Sequence, residues 1–457
     1  MDCQVESIHD DFSALKMTLE ELTLDSNPLT HLPDFITSFE NLKTLSLINT
    51  YVSVIPEDVG QLKNLRYLNL MYTSLVELPD SFAKLYNLES FIHGIPFQDL
   101  KVGQSLTWTE YEAMFNSFAP MRKLSMEDKK AIFQSVDSNT DMMINEEEKK
   151  DFKSLLFDKL PRMRPTGDGD SGFPSALLGC RNLQTLHLLC SGLKSIPNQV
   201  RYFSKLKSLH VDQSPDLETV SAELGKVGLH ELSLEDCPKL HTPPYEVVAQ
   251  GQRACIAYLE RLSQGSVACY RTKLMFVGLG GAGKTTLMRS LMSPNFKGVS
   301  DKQEAITDGI DICTWSLHKH DHNLTYSVWD FAGQTIYYNT HQFFLSRRAI
   351  YLLLWNKRLG YEHAGLEFWL NSLSCHCPKA PVFVIGTHAD KIANADLPER
   401  ELASRFPNVV FFTSVSSQTG EGVENLLNKI IQVTLQQPYV GEQVPEAWLS
   451  LEKLILK

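Results

Sequence analysis

Leucines recur along the first part of the chain at a fixed step. Leu19, Leu42, Leu65 and Leu88 fall 23 residues apart, each opening a run such as Leu42-Lys43-Thr44-Leu45-Ser46-Leu47, and Pro33, Pro56 and Pro79 keep the same step. Alternation inside each run predicts a short strand with one apolar face. The fixed step predicts that these strands stack, because no single repeat can bury that face alone. The step is lost after Phe91 and resumes at Pro174, with Leu183, Leu206 and Leu229 again 23 apart and Pro197 23 beyond Pro174. The repeat begun at Leu88 is therefore split by an insertion. Within the insertion the pattern turns polar and helical, at 126–136 and 146–160, and 164–173 is a return rich in Pro, Gly, Asp and Ser. After Pro243-Pro244, residues 245–262 read as one amphipathic helix carrying Val247, Val248, Ala254, Ile256, Leu259 and Leu262. From Arg271 onward strand-like apolar runs (274–277, 326–329, 349–355, 382–385 and 409–412) alternate with helical stretches, which predicts an α/β domain on a mostly parallel sheet.

The fold expected is thus α/β: a leucine-rich repeat solenoid over 1–92 and 174–268, the second part including a linker helix; a small helical insertion over 93–173; a nucleotide domain over 269–436; and a trailing segment over 437–457. In such a solenoid the strand-lined face is the expected protein-binding surface. A net charge of -11 over 457 residues argues against nucleic acid as a partner, because neutralising phosphates needs a basic face. The 9 cysteines form no ladder and no paired zinc pattern, as in a protein kept reduced, and Cys375-His376-Cys377 reads as structural. The N-terminus is acidic and lacks an apolar core, so no secretory signal is expected, and the apolar run at 349–355 is too short for a transmembrane segment. A soluble, cytoplasmic protein is expected.

The chemistry concentrates after the run at 274–277. Gly278, four residues, then Gly283-Lys284-Thr285 is the full phosphate-loop pattern, placed between a strand and a helix bearing Leu287, Met288, Leu291 and Met292. Gly278, Gly280, Gly281, Ala282 and Gly283 let successive N–H groups face phosphate oxygens at a helix N-terminus. Lys284 is expected on the outer phosphates, Thr285 on Mg²⁺, and Thr286 beside them. Asp330-Phe331-Ala332-Gly333-Gln334 follows the next strand: Asp330 can hold Mg²⁺ through water, Gly333 can approach the γ-phosphate, and Gln334 can orient the attacking water. Between the two motifs Thr307 is the candidate second Mg²⁺ ligand, with Thr314 and Thr325 as rivals. Thr387-His388-Ala389-Asp390 ends a later strand, where Asp390 can accept both the ring N–H and the exocyclic amine of guanine. The turn containing Ser416 and Ser417 follows the last strand and could approach the guanine oxygen. The insertion holds Asp137, Asn139, Asp141, Asn145 and Glu148 at positions 1, 3, 5, 9 and 12 of a loop that resembles an EF-hand calcium loop, with Met142 replacing the glycine of position 6. Two readings stand, a calcium site and an EF-hand-shaped hairpin without the ion.

Residues 271–436 resemble a Ras-type GTPase domain, specifically the Roc domain of the Roco family, and leucine-rich repeats joined to it through a helix after Pro243-Pro244 are similar to that family's arrangement. The resemblance implies GTP and GDP as ligands with Mg²⁺, slow hydrolysis, and nucleotide cycling linked to a homodimer. It maps 278–285 onto the phosphate loop, 330–334 onto the second switch and 387–390 onto base recognition. His388 stands where most small GTPases have Lys, and Ser416-Ser417-Gln418 matches the usual Ser-Ala-Lys only at its first position. The stretch 444–452 resembles the opening of a COR domain, and the chain has no His-Arg-Asp or Asp-Phe-Gly kinase motif. A GTP-dependent signalling switch with a partner-binding solenoid is the expected function. The alternative is a repeat scaffold that holds GTP as a structural ligand.

Overall fold

The structure, a computed structural model, describes residues 4–95, 106–122, 124–137, 143–144, 171–296, 309–319, 322–333, 342–392 and 397–455. Two compact units divide it, Met1–Ser266 with Pro445–Lys457, and Val267–Val444.

In the first unit the 23-residue step becomes one seven-stranded parallel sheet, Glu21–Thr23, Thr44–Ser46, Tyr67–Met71, Ser90–Gly94, Thr185–Leu189, Ser208–His210 and Glu231–Ser233. Ser90 pairs with Thr185 in register, so the solenoid closes over the insertion as though it were not there. Leu22, Leu45, Leu68, Phe91, Leu186, Leu209 and Leu232 point inward from the strands into one continuous core. Two further ladders keep the repeats stacked. The side-chain amides of Asn41, Asn64, Asn87 and Asn182 donate to the carbonyls of Met17, Glu40, Lys63 and Tyr86 in the repeat before, at 2.6 to 2.8 Å. Ser26, Asn49, Tyr72, Cys190, Gln213 and Asp236, one step apart, all turn the chain with positive φ. The insertion leaves at Ile95, which stands at this same turn position in the split repeat.

The insertion has its own small core of Ile95, Tyr111, Phe115, Met121, Ile132, Phe133, Val136 and Ile144, with Cys190 joining from the solenoid. Its helix Met126–Val136 matches the expected bounds, and Ser125 caps it. The short strand Met143–Ile144 pairs antiparallel with Leu106–Thr107, a partner that the sequence pattern did not reveal. Asp137 is buried at the helix end, whereas Asn139, Asp141, Asn145 and Glu148 lie outside the described residues.

The linker differs from the single helix expected over 245–262. It forms Tyr245–Val248 and Gln252–Gln264, broken at Gly251, whose φ of 91° no helix can hold. The second piece packs on the last repeat through Cys255, Tyr258, Leu259 and Leu262.

The second unit carries β1 (Arg271–Val277), α1 (Lys284–Met292), β2 (Ile310–Lys319), β3 (His322–Phe331), β4 (Ala349–Asn356), α2 (Leu366–His376), β5 (Val382–Thr387), α3 (Glu399–Arg405), β6 (Val409–Ser414) and α4 (Val423–Leu435). The sheet order is β2-β3-β1-β4-β5-β6, parallel except for the β2–β3 hairpin. β4 explains why its run reads as uniformly apolar: Ile350, Leu352 and Leu354 enter one core with α1 and α4, while Ala349, Tyr351, Leu353 and Trp355 enter the other with α2 and α3. With both faces covered, the open ends of the parallel strands are where a ligand can reach the backbone.

Candidate functional site

The C-terminal ends of β1, β3, β4 and β5 converge on the loop between β1 and α1. Gly278 leaves β1 with φ of 137°, and a Cβ there would stand 2.3 Å from the Leu354 carbonyl oxygen of β4. Gly281 and Gly283 hold φ of 74° and 85°, which lets the loop curl its N–H groups toward one point in front of α1. Lys284 is buried and its ammonium donates to the carbonyls of Gly278 and Leu279, both at 2.9 Å. The loop thus positions its own cation before any anion arrives.

Burial lowers the Lys284 pKa to about 8, against the opposing attraction of Asp330. A phosphate beside it favours the ammonium form and raises the value again. Binding therefore takes up a proton when the free loop is neutral, and affinity falls by up to about tenfold per pH unit as pH rises above about 8, while this group contributes no slope below that. Titrations with nucleotide at pH 7 and pH 9.5 check this. Lys284→Arg, whose guanidinium does not titrate, is expected to remove the slope.

Asp330 ends β3 with no exposed surface and accepts the Thr285 hydroxyl hydrogen at 2.5 Å. A hydroxyl and a carboxylate side by side at a helix N-terminus are hard oxygen groups that would suit Mg²⁺, directly or through water. Thr285 and Asp330, the two expected metal-side residues among those described, are brought together. Thr325 lies elsewhere: it pairs with Arg271 at the start of β1, the end away from the phosphate loop, and Thr314 pairs with Ser327 within the hairpin. Thr307 and Gln334 lie outside the described residues. Gly333 is described and sits against the loop: a Cβ there would fall 2.4 Å from the Gly280 nitrogen. The loop after β3 can come this close to the phosphate loop because Gly333 has no side chain.

Asn356 was not singled out from sequence. It ends β4, its side-chain Nδ2 donates to the Gly281 carbonyl at 3.2 Å, and its side-chain Oδ1 accepts from the Arg358 N–H at 3.0 Å. Its signal is positional, a polar side chain closing a buried strand run next to β1. It pairs across the sheet with Thr387, whose hydroxyl donates to the Trp355 carbonyl at 3.2 Å. The Thr387 methyl packs 3.5 Å from where a Gly283 Cβ would stand. The segment Thr387–Asp390 is thereby seated on the phosphate loop. Ala389 N–H donates to the Val415 carbonyl, and Val415 N–H to the Gly386 carbonyl, which ties the turn containing Ser416 and Ser417 to the same place. Ser416 is buried, and its hydroxyl holds the exposed Asp390 carboxyl below its ordinary range. His388 turns with φ of 63°. Burial, then the charges of Arg358 and Lys391, lower its imidazole pKa against the pull of Asp390.

Strand order, phosphate loop, Thr285–Asp330 pair and the Asp390 turn define a P-loop nucleotide-binding domain of Ras-like architecture. A family model described as Ras of Complex, Roc, domain of DAPkinase matches residues 273–390, and a leucine-rich repeat model matches 17–75. The chain is 36% identical over 249 residues to the probable serine/threonine-protein kinase pats1 of Dictyostelium discoideum, an alignment covering 50% of this chain and 8% of that protein. It is 27% identical over 321 residues to leucine-rich repeat serine/threonine-protein kinase 1 of Mus musculus, covering 62% of this chain and 16% of the relative. A solved structure of Methanosarcina barkeri Roco2 RocCORdC bound to GDP aligns with 27% identity and a TM-score of 0.38, over 42% of this chain and 58% of that one. The chain thus joins leucine-rich repeats to a segment that matches the Roc domain model. It spans less than a fifth of the length of the two kinases. No helix among the described residues is long and apolar enough to cross a membrane.

Proposed function

We propose that the protein is a GTP-binding and GTP-hydrolysing switch whose repeat solenoid carries a surface for a protein partner. The observation that carries this reading is the convergence of Lys284, the Thr285–Asp330 pair and the Thr387–Asp390 segment around one loop. Lys284 and the loop N–H groups bind the phosphates, and Asp390, held ionised by Ser416, pairs with the two N–H donors on one edge of guanine. Adenine presents no such pair of donors there. Thr285 and Asp330 would hold Mg²⁺, which, when bound with nucleotide, neutralises charge on the outer phosphoryl oxygens. Gly333 approaches the phosphate loop closely enough for its N–H to sense the terminal phosphate. Gln334, the next residue, would orient the attacking water, and Thr307 would help to hold Mg²⁺ when GTP is bound. Loss of the γ-phosphate would release both loops, and that difference would reach the partner.

Two substitutions test the reading. Asp390→Asn keeps size but replaces one acceptor oxygen with a donor amide, so competition between GTP and ATP should lose most of its guanine preference, by about 10²-fold or more. Unchanged preference would remove Asp390 from base recognition. Gln334→Leu should bind GTP with unchanged affinity and hydrolyse it at least about tenfold more slowly in a single-turnover assay. An equal rate would take Gln334 out of the hydrolytic step.

A further inference from the structure

The asparagine ladder of the solenoid stops where the repeats are otherwise regular. Asn41, Asn64, Asn87 and Asn182 each precede the first leucine of a repeat and reach back to the repeat before, but the next two equivalent positions are Lys205 and Gly228. By the same offset, an asparagine at 205 would reach the Arg181 carbonyl and one at 228 the Ser204 carbonyl. Gly228 turns with φ of 81°, and a Cβ there would meet nothing within 4 Å. In place of two bridging amides the solenoid surface has an open hollow of about 390 Å³, bordered by Gln184, Ser204, Lys205, Lys207, Val227 and His230 among others, with Ser204, Lys205, Lys207 and His230 exposed.

Its charge is as unusual as its shape. Elsewhere along this edge the cations are neutralised across the ladder, Lys43 by Glu20 at 2.7 Å and Arg66 by Glu89 at 3.2 Å. Their counterparts in the later repeats are Gln184, Lys207 and His230, none of them acidic. Among the described residues neither Lys205 nor Lys207 has a carboxylate within 4.0 Å, although the chain as a whole carries -11. Two ammonium groups, an imidazole, a primary amide and a hydroxyl therefore border one opening, all able to donate hydrogen bonds.

We propose that this break in the ladder is a binding site for a phosphomonoester. A phosphate dianion carries three acceptor oxygens and enough charge to satisfy both lysines at once. The hollow is open to solvent, so the group that bears the anion can stay outside it. The site lies in the solenoid and is separate from the phosphate loop. The same chemistry arrives either as a free anion or as a phosphorylated side chain.

Calorimetric titration of the full chain tests this with inorganic phosphate, with a short phosphoserine peptide, and with the same peptide unphosphorylated. Saturable binding of at least one phosphorylated probe is expected, with none for the unphosphorylated peptide. Binding of inorganic phosphate assigns the site to free anions, and binding of the phosphopeptide alone assigns it to a modified partner. Lys205→Asn and Lys207→Gln should each weaken this binding about tenfold or more, while Lys284→Ala leaves it in place and so separates it from the phosphate loop. Lys205→Asn restores the ladder residue, so its melting temperature should equal or exceed that of the parent. No saturable binding to either phosphorylated probe, or binding unchanged in both lysine variants, overturns the proposal.

Discussion

Lys284→Ala is expected to weaken guanine nucleotide binding by about 10² to 10³-fold. The ammonium is buried and held by two loop carbonyls at 2.9 Å, so it meets the phosphate already oriented and stripped of water. Truncating one partner of such a charge pair costs about 3 to 4 kcal/mol. The same substitution should not damage the free protein. Burial lowers the Lys284 pKa from 10.5 to about 8, so at pH 7 the charged side chain costs the folded state about 3 kcal/mol relative to the unfolded chain. Its removal should leave the melting temperature without nucleotide equal or higher. Titration with a fluorescent guanine nucleotide, beside a melt of the same sample, checks both parts. A loss below about tenfold would mean that the loop amides bind the phosphates without the lysine.

Gly278→Ala is expected to act in the opposite sense, on the fold before the ligand. The new methyl would stand 2.3 Å from the Leu354 carbonyl oxygen, on a residue whose φ is 137°. Backbone strain and overlap with a central strand each cost about 1 to 3 kcal/mol. For a unit of this size that total lowers the melting temperature by about 4 to 24 °C. Calorimetry should find the loss in the transition that nucleotide normally stabilises, with the solenoid transition unmoved. A nucleotide-free melt equal to the parent's would mean that β4 can give way at Leu354.

Both effects start from residues that the sequence exposes and end in contacts that it does not. The phosphate loop is legible because its chemistry is local: glycine spacing, lysine and threonine lie within eight residues, and their roles follow from backbone freedom and charge. The repeats are legible for a related reason, since a 23-residue step repeats its own evidence. The split of one repeat could be read from the resumed step alone, and the pairing of Ser90 with Thr185 agrees with it. Gly251, by contrast, breaks the linker helix where apolar spacing alone suggested continuity.

Asn356, the seating of Thr387 on Gly283 and the contact of Gly333 with Gly280 are long-range facts. Each depends on which strand lies beside β1, and strand order is decided by how two apolar faces are shared among four helices. The open hollow at Lys205 has the same character. The lysine in place of asparagine is plain in the sequence, but its consequence appears only once neighbouring repeats are stacked and the side chain that should bridge them is missing. Residue types and their spacing were enough to specify the repeat solenoid, the phosphate loop and the kind of chemistry. Tertiary packing alone decided which distant side chains hold that loop in place, because hydrogen bonds and close backbone contacts between strands depend on spatial register and leave no periodic trace along the chain.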